Sequence, residues 1–337
     1  LKFVKNGGQI PICLNLSDIL TRMNNPSQEK SLKIFSEGIL LVITLLWGAT
    51  FVIVKESLRE ISSTLFLTMR FGLASLILLT LMILRKRKFE RRTLIPGIFL
   101  GVLLFLIFLT QTIGLKYTTA TNSGFITGSS VVMVPFFQLL IQKRRPTRGP
   151  VIGSVLVFIG ILFLSGGGNT ISSFLRQFGS NFNLGDALTL ICAIVCAIHI
   201  VYIGLYSAHY DNWNLLLIQI LVVAVLSFLT ALFFSGIKIE PLHMNFSKYL
   251  IFGILYTSIF TTLVTIGLQT KYQRNISPSQ AGIIYSFEPI FAAIFAFFLL
   301  NEKISMFGFG GCALIFLGLL VSMLLDPDIS SEVEMNG

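Results

Sequence analysis

The sequence predicts an all-α polytopic membrane protein in which ten transmembrane helices form two inverted five-helix repeats. Three observations predict it. Of 337 residues, 54% are hydrophobic and only 12% are charged, whereas a soluble domain carries about 25% charged residues. Uncharged or nearly uncharged stretches long enough to cross about 30 Å of hydrocarbon occur ten times. The chain also matches itself at an offset of 158 residues: Gln111-Thr112 recurs as Gln269-Thr270, and Gly124-Phe125-Ile126 as Gly282-Ile283-Ile284. Gly153, Leu156, Phe158 and Gly160 recur in the same way as Gly311, Leu314, Phe316 and Gly318. Five spans per copy is an odd number, so the second copy enters the bilayer upside down. Inverted halves meeting in a membrane are a common design of secondary transporters, with the solute site between them near the midplane.

The first span, 38–54, ends at Lys55-Glu56, which sit in the interface. The second, 61–84, carries Arg70 and stops at a basic run over 85–92. The third and fourth, 93–115 and 117–142, hold Gly97/Gly101, Gly124/Gly128 and Pro135; the fifth, 149–167, opens on Gly149/Gly153. Paired small residues at this spacing let helix backbones approach closely, and packing within one bundle explains them more simply than a dimer interface. Monomer and homodimer both stay open. The sixth span, 187–208, contains Cys192, Cys196 and His199; the seventh and eighth cover 212–237 and 249–270. The ninth, 275–301, contains Glu288-Pro289, and the tenth covers 304–325.

Residues 1–36 read as an N-terminal segment without fixed structure. The first long apolar run starts only near Gly38, so there is no signal-peptide pattern. Met23-Asn24-Asn25-Pro26 reads as a natural start, leaving 1–22 as an extension. The first repeat covers 37–166, a Gly/Ser/Asn-rich linker 167–185, the second repeat 186–325 and an acidic tail 326–337. With the N-terminus inside, the inner segments hold 17 of the 25 Lys and Arg and the outer loops 7, Arg70 being the remaining one. That bias predicts both termini in the cytoplasm, in a multi-pass protein of the cell membrane.

The net charge of +10 concentrates at span ends, which serves topology and argues against nucleic acid. Cys13, Cys192, Cys196 and Cys312 have no metal-ligand spacing, and Cys192/Cys196 with His199 make a poor zinc site. No metal, cofactor or disulfide framework is implied.

Glu288 lies roughly 15 Å from the inner face at 1.5 Å per residue, near the bilayer centre. An ionised side chain there needs a cavity, an ion pair or a proton. A substrate-amine counter-charge, a proton site and a helix-packing role stay open. Arg70, about six residues inside the outer face, is placed either to snorkel or to pair with Glu288. His199 on an apolar helix reads as a hydrogen-bonded structural residue, with a proton relay as the alternative. Gln111, Gln269, Tyr285, Asn122 and Trp47 are the candidates for holding a small polar solute. Pro135 and Pro289 kink the fourth and ninth spans, one helical turn apart after projection.

The segments Trp47-Gly48-Ala49-Thr50-Phe51, Ile61-Ser62 and Arg70-Phe71 resemble the opening of an EamA-type repeat of the drug/metabolite transporter superfamily. The run from Leu109 through Thr118 resembles the end of its third helix. Phe287-Glu288-Pro289-Ile290-Phe291-Ala292-Ala293, followed by Leu300-Asn301-Glu302-Lys303, is similar to the signature of its second copy. The resemblance covers about residues 37–325. It implies a central cavity, alternating access and a small-metabolite substrate, such as an amino acid or related compound, frequently moved outward. Two positions depart from the pattern. Lys143-Arg144-Arg145 stand where the first copy often has an acid, and Cys196 replaces a tryptophan. A channel, receptor or scaffold is the alternative, but a channel would show many polar residues along one continuous stripe, and here they are scattered between the halves. An intramembrane enzyme would need a nucleophile–base pair or metal ligands in the spans, and neither is evident. The partners expected are a small-molecule substrate and the lipid bilayer.

Overall fold

A computed structural model describes residues 26–165, 183–300 and 306–325. The linker over 166–182, the tail and the Asn301-Glu302-Lys303 motif lie outside the described residues. Every regular element described is helical. We number the spans α1 (Pro26–Ser57), α2 (Ser63–Leu84), α3 (Leu94–Tyr117), α4 (Ala120–Gly128 and Ser130–Gln142), α5 (Arg148–Ser165), α6 (Leu184–Ser207) and α7 (Asn212–Gly236). Then follow α8 (Lys248–Ser258 and Thr265–Tyr272, joined by a π-helical Ile259–Val264), α9 (Pro278–Tyr285 and Glu288–Leu300) and α10 (Met306–Leu324). Nine described helices are long and apolar enough to cross a membrane, and a tenth, Arg148–Phe163, is shorter. Lipid offers no partner to a backbone amide, so such spans close their hydrogen bonds internally.

α1 differs from its expected start. Residues 26–36 are helical and extend the span by about three turns. Nothing between Ser27 and Glu37 breaks a helix, and farther along it Asn275 Nδ2 donates to Ser36 Oγ at 2.9 Å and Gln280 Nε2 to Glu37 Oε1 at 2.7 Å, tying it to the second repeat.

The packing obeys a two-fold relation that inverts the second repeat on the first. α2 pairs with α7 and α5 with α10, each helix against its own counterpart. α3 packs on α6 as α8 packs on α1, and α4 on α6 as α9 on α1. Two three-helix groups result, α3–α4–α6 and α1–α8–α9, and each mixes both halves of the sequence. Individual contacts repeat the symmetry. A Cβ on Gly153 would lie 2.6 Å from Gly318 O, and one on Gly160 2.7 Å from Gly311 O. Gly124 faces Ala292 as Gly282 faces Val134. The recurring glycines are therefore packing points, the α5–α10 pairs permitting backbone contact that no side chain would allow.

Helix ends are tied across the halves. On the face bearing the basic 85–92 turn, Asn214 Nδ2 donates to Lys88 O and Asn214 Oδ1 accepts from Glu90 N, while Arg85 and Arg87 lie over the Trp213 ring. On the opposite face, residues 60–62 pair with 243–245: Ser62 N donates to His243 O at 3.1 Å and Asn245 N to Glu60 O at 2.8 Å. Ser62 does not cap α2 with its own side chain. Glu240, 8% exposed, reaches in from the α7–α8 turn and accepts from Ser63 N, Thr64 N, Thr64 Oγ1 and Lys116 Nζ. Burial alone would raise this carboxyl, but Lys116 and the hydrogen bonds from Ser63 and Thr64 outweigh it and hold it at about 2. Lys55, expected in the interface, donates to the carbonyls of Leu115 and Thr118, closing the end of α3.

Candidate functional site

α4 and α9 break midway along their lengths, and the breaks correspond in the repeat. α4 is interrupted at Ser129 and α9 at Ser286-Phe287; projection by 158 places Phe287 on Ser129. The prolines are staggered, but the interruptions are not. Pro135 lies five residues inside the second piece of α4, while Pro289 is the second residue of its piece. At each break a serine bonds back to its own helix, Ser129 Oγ to Ile126 O at 2.6 Å and Ser286 Oγ to Ile283 O at 2.5 Å. Such local bonds offer the backbone an alternative to the helical ladder.

A cavity of about 80 Å³ opens beside the breaks, between α1, α2, α3, α4, α6, α8 and α9. Trp47, Gln111, Gln269, Tyr285, Glu288, Arg70 and His199 all line it. Asn122 does not: it occupies the first turn of α4, where its N–H donates to the N-cap hydroxyl of Thr119.

Each half contributes an amide and a hydroxyl at matched positions. Gln111 Nε2 donates to Thr127 Oγ1 at 3.4 Å. In the second half Gln269 Nε2 and Tyr285 OH both donate to Gln273 Oε1, at 3.2 and 2.9 Å, and Gln273 Nε2 donates to Ile200 O at 2.6 Å. Thr127 and Tyr285 are themselves 158 apart. The second cluster is tighter and polarised from one group to the next. Trp47 packs against Tyr285 in a tilted contact with centroids 5.4 Å apart, and its Nε1 donates to Thr265 Oγ1 at 2.9 Å.

Charge breaks this symmetry. Glu288 stands opposite Ser130, is half-buried, and among the described residues forms no ion pair. Arg70 neither snorkels nor meets Glu288. It is 1% exposed, sits over Phe108 with its guanidinium carbon 4.4 Å from the ring centroid, and donates to Thr261 and Thr262 of α8. Both charges line the cavity, each with unused capacity: Arg70 Nη1 makes no hydrogen bond among the described residues. His199, 3% exposed, faces Gln219 Oε1 at 3.3 Å, and Gln219 Nε2 donates to Leu215 O. That partner assigns Nε2–H as the donor. Among the described residues no group of His, Cys, Asp or Glu could hold a metal ion.

Sequence reasoning passed over Thr127, Gln273 and the threonines of α8, all central to these contacts. Thr257, Thr261 and Thr265 recur every fourth residue, which was the available signal.

Comparison with known proteins places this architecture. The profile described as the EamA-like transporter family matches residues 35–166 and 183–324. A protein of Archaeoglobus fulgidus described as an uncharacterized transporter is 33% identical over 292 residues, 87% of each chain. A Chlamydia muridarum protein described as an S-adenosylmethionine/S-adenosylhomocysteine transporter is 22% identical over 286 residues, 80% of this chain and 88% of its own. A protein crystal structure at 16% identity superposes with a TM-score of 0.67, covering 86% of this chain and 97% of that one, which shows a shared fold.

Proposed function

The chain belongs to the EamA-like transporter family, and from that premise we propose that it is a secondary transporter carrying a small metabolite, such as an amino acid or related compound, across the cytoplasmic membrane by alternating access. The observation that carries the reading is Glu288: a carboxylate without an ion-pair partner among the described residues, on the wall of a cavity lined by both repeats beside their aligned helix breaks. A carboxylate kept in a bilayer-spanning helix is costly, and a solute amine or a proton offsets that cost when bound. The relative described as an S-adenosylmethionine/S-adenosylhomocysteine transporter agrees, since both of those compounds are amino-acid derivatives.

In this reading the groups α3–α4–α6 and α1–α8–α9 rock against each other around the cavity, so the moving units are not the two halves of the sequence. Gln111, Gln269 and Tyr285 hold the polar body of the solute and Trp47 its apolar part. Both termini face the cytoplasm, and the chain acts as a carrier without chemical conversion. The test is counterflow in sealed vesicles containing the purified protein, with the twenty standard amino acids as labelled solutes. Saturable exchange that exceeds empty vesicles is expected for at least one of them and lost in Glu288→Gln. Absence of exchange across the whole panel would contradict the amino-acid reading.

A further inference from the structure

We propose that Arg70 is a positioning residue that sets the rotation of the second piece of α8 and, through it, presents Gln269 to the cavity. The proposal rests on the transport reading only in taking the cavity as the solute site, and its test requires no transport.

Ile259–Val264 is π-helical. A π turn accommodates one extra residue, so the downstream piece is turned by about 100° relative to an uninterrupted α-helix, the angle of one residue. Neither proline nor glycine occurs in Ile259–Val264 to account for the opening. What bonds to it is the guanidinium fork of Arg70. Nε donates to Thr262 Oγ1 at 2.9 Å, and Nη2 donates to Thr261 O at 3.2 Å and Thr261 Oγ1 at 3.1 Å. Thr261 O also accepts from Thr265 Oγ1 at 2.8 Å, and Thr265 Oγ1 accepts from Trp47 Nε1. The opened ladder thus links Arg70 to the cavity wall.

A cation 1% exposed and lacking an ion-pair partner among the described residues needs these acceptors, because an unsatisfied buried charge is severely penalised. The Phe71 and Phe108 rings lie against the guanidinium, their centroids 5.1 and 4.4 Å from its carbon. The counterpart helix supplies the contrast. α3 is α-helical throughout Leu94–Tyr117, and the positions matching Thr261 and Thr262 are Leu103 and Leu104, which offer no hydroxyl to a guanidinium. The π turn therefore coincides with the inserted arginine.

Closing the turn to α-helix would swing Gln269 away and bring Leu268 to its direction. Leu268 now packs against the apolar cluster of Leu40, Ile43 and Val201 and is not on the cavity wall.

The experiment places single cysteines by Leu268→Cys or Gln269→Cys in the reconstituted full chain, with Cys13, Cys192, Cys196 and Cys312 replaced, and reads their rates of reaction with a small hydrophilic methanethiosulfonate. With Arg70 present, position 269 should react faster than 268. Arg70→Met should reverse that preference, and removal of Val264 from the Arg70→Met chain should restore it by taking out the extra residue of the turn. A folded Arg70→Met chain that keeps the original preference would overturn the proposal, as would failure of the Val264 deletion to restore it. If Arg70→Met does not fold, Arg70→Lys, whose ammonium lacks the fork, is read with the same pair. Loss of the preference is then expected, and an unchanged preference overturns the proposal.

Discussion

The two halves of the cavity occupy the same places in the repeat and differ in chemistry. The first supplies Gln111, Thr127 and Ser130; the second supplies Gln269, Tyr285 and Glu288. Gln111 makes one bond, at 3.4 Å, whereas Gln269 and Tyr285 converge on Gln273, which is anchored to Ile200 O. Backbone interruptions and small-residue contacts occur on both sides of the two-fold, while the carboxylate and the tight polar cluster sit on one side and the Arg70 guanidinium on the other. A duplicated fold thus preserves what geometry requires and frees the wall of the cavity to become specific.

The sharpest way to break this contrast is exchange at its extremes. Glu288→Gln should reduce transport to the level of protein-free vesicles, while Ser130→Ala, at the matching position, should retain most of it. Equal losses in both would mean that the carboxylate has no special role.

The shared geometry is tested next by Gly160→Leu. Its side chain would meet Gly311 O, and overpacking of this kind costs about 1–3 kcal/mol, so the thermal unfolding midpoint in detergent should fall. Gly310→Ala, with nothing within 4 Å of the added Cβ, should leave the midpoint in place or raise it slightly, since alanine favours a helix over glycine by roughly 1 kcal/mol.

Smaller and unequal effects are expected of the amides. Gln269→Leu leaves Gln273 Oε1 one donor short in a buried cluster, and losing such a bond typically costs about 0.5–1.5 kcal/mol, more where a partner is stranded. Gln111→Leu removes only a long bond and should cost less. Solute affinity measured by counterflow for the two variants would sharpen or erase the difference between the halves.

The mildest prediction concerns the face opposite the basic turn. Glu240 is held at about 2, below its ordinary carboxylate value, so its contribution is fully present above about pH 4.5. It is lost as the pH falls through about 2. Between those values the unfolding midpoint should decline more steeply in the native chain than in Glu240→Gln. Parallel pH profiles would show that this carboxylate does not tie the halves together.

Much of the fold was legible because the bilayer imposes length and apolarity on every span, and the 158-residue offset links Gln111 to Gln269 and Gly153 to Gly311 directly. Hydropathy could not place the start of α1, since residues 26–31 are polar and Leu32, Ile34 and Phe35 alternate with Lys33 and Ser36, yet the whole stretch is helical. Asn122 reads as solute-binding in the sequence because polarity within a span does not distinguish a cavity wall from a helix end. The prolines suggest staggered kinks, whereas the breaks lie at matching residues, Ser129 and Phe287. Depth along the sequence leaves Arg70 near Glu288 but gives no information about rotation, and rotation sends the guanidinium into α8. The π turn left only the threonine spacing as a trace.

The central claim is that Glu288 on the second half of the cavity is the solute or proton contact of the carrier. Amino-acid counterflow in vesicles holding either the native chain or Glu288→Gln, matched for folded protein by monodisperse elution, tests it most directly. The account predicts saturable exchange for the native chain and none for the variant. Equal exchange by both, at every external pH tried, would contradict it.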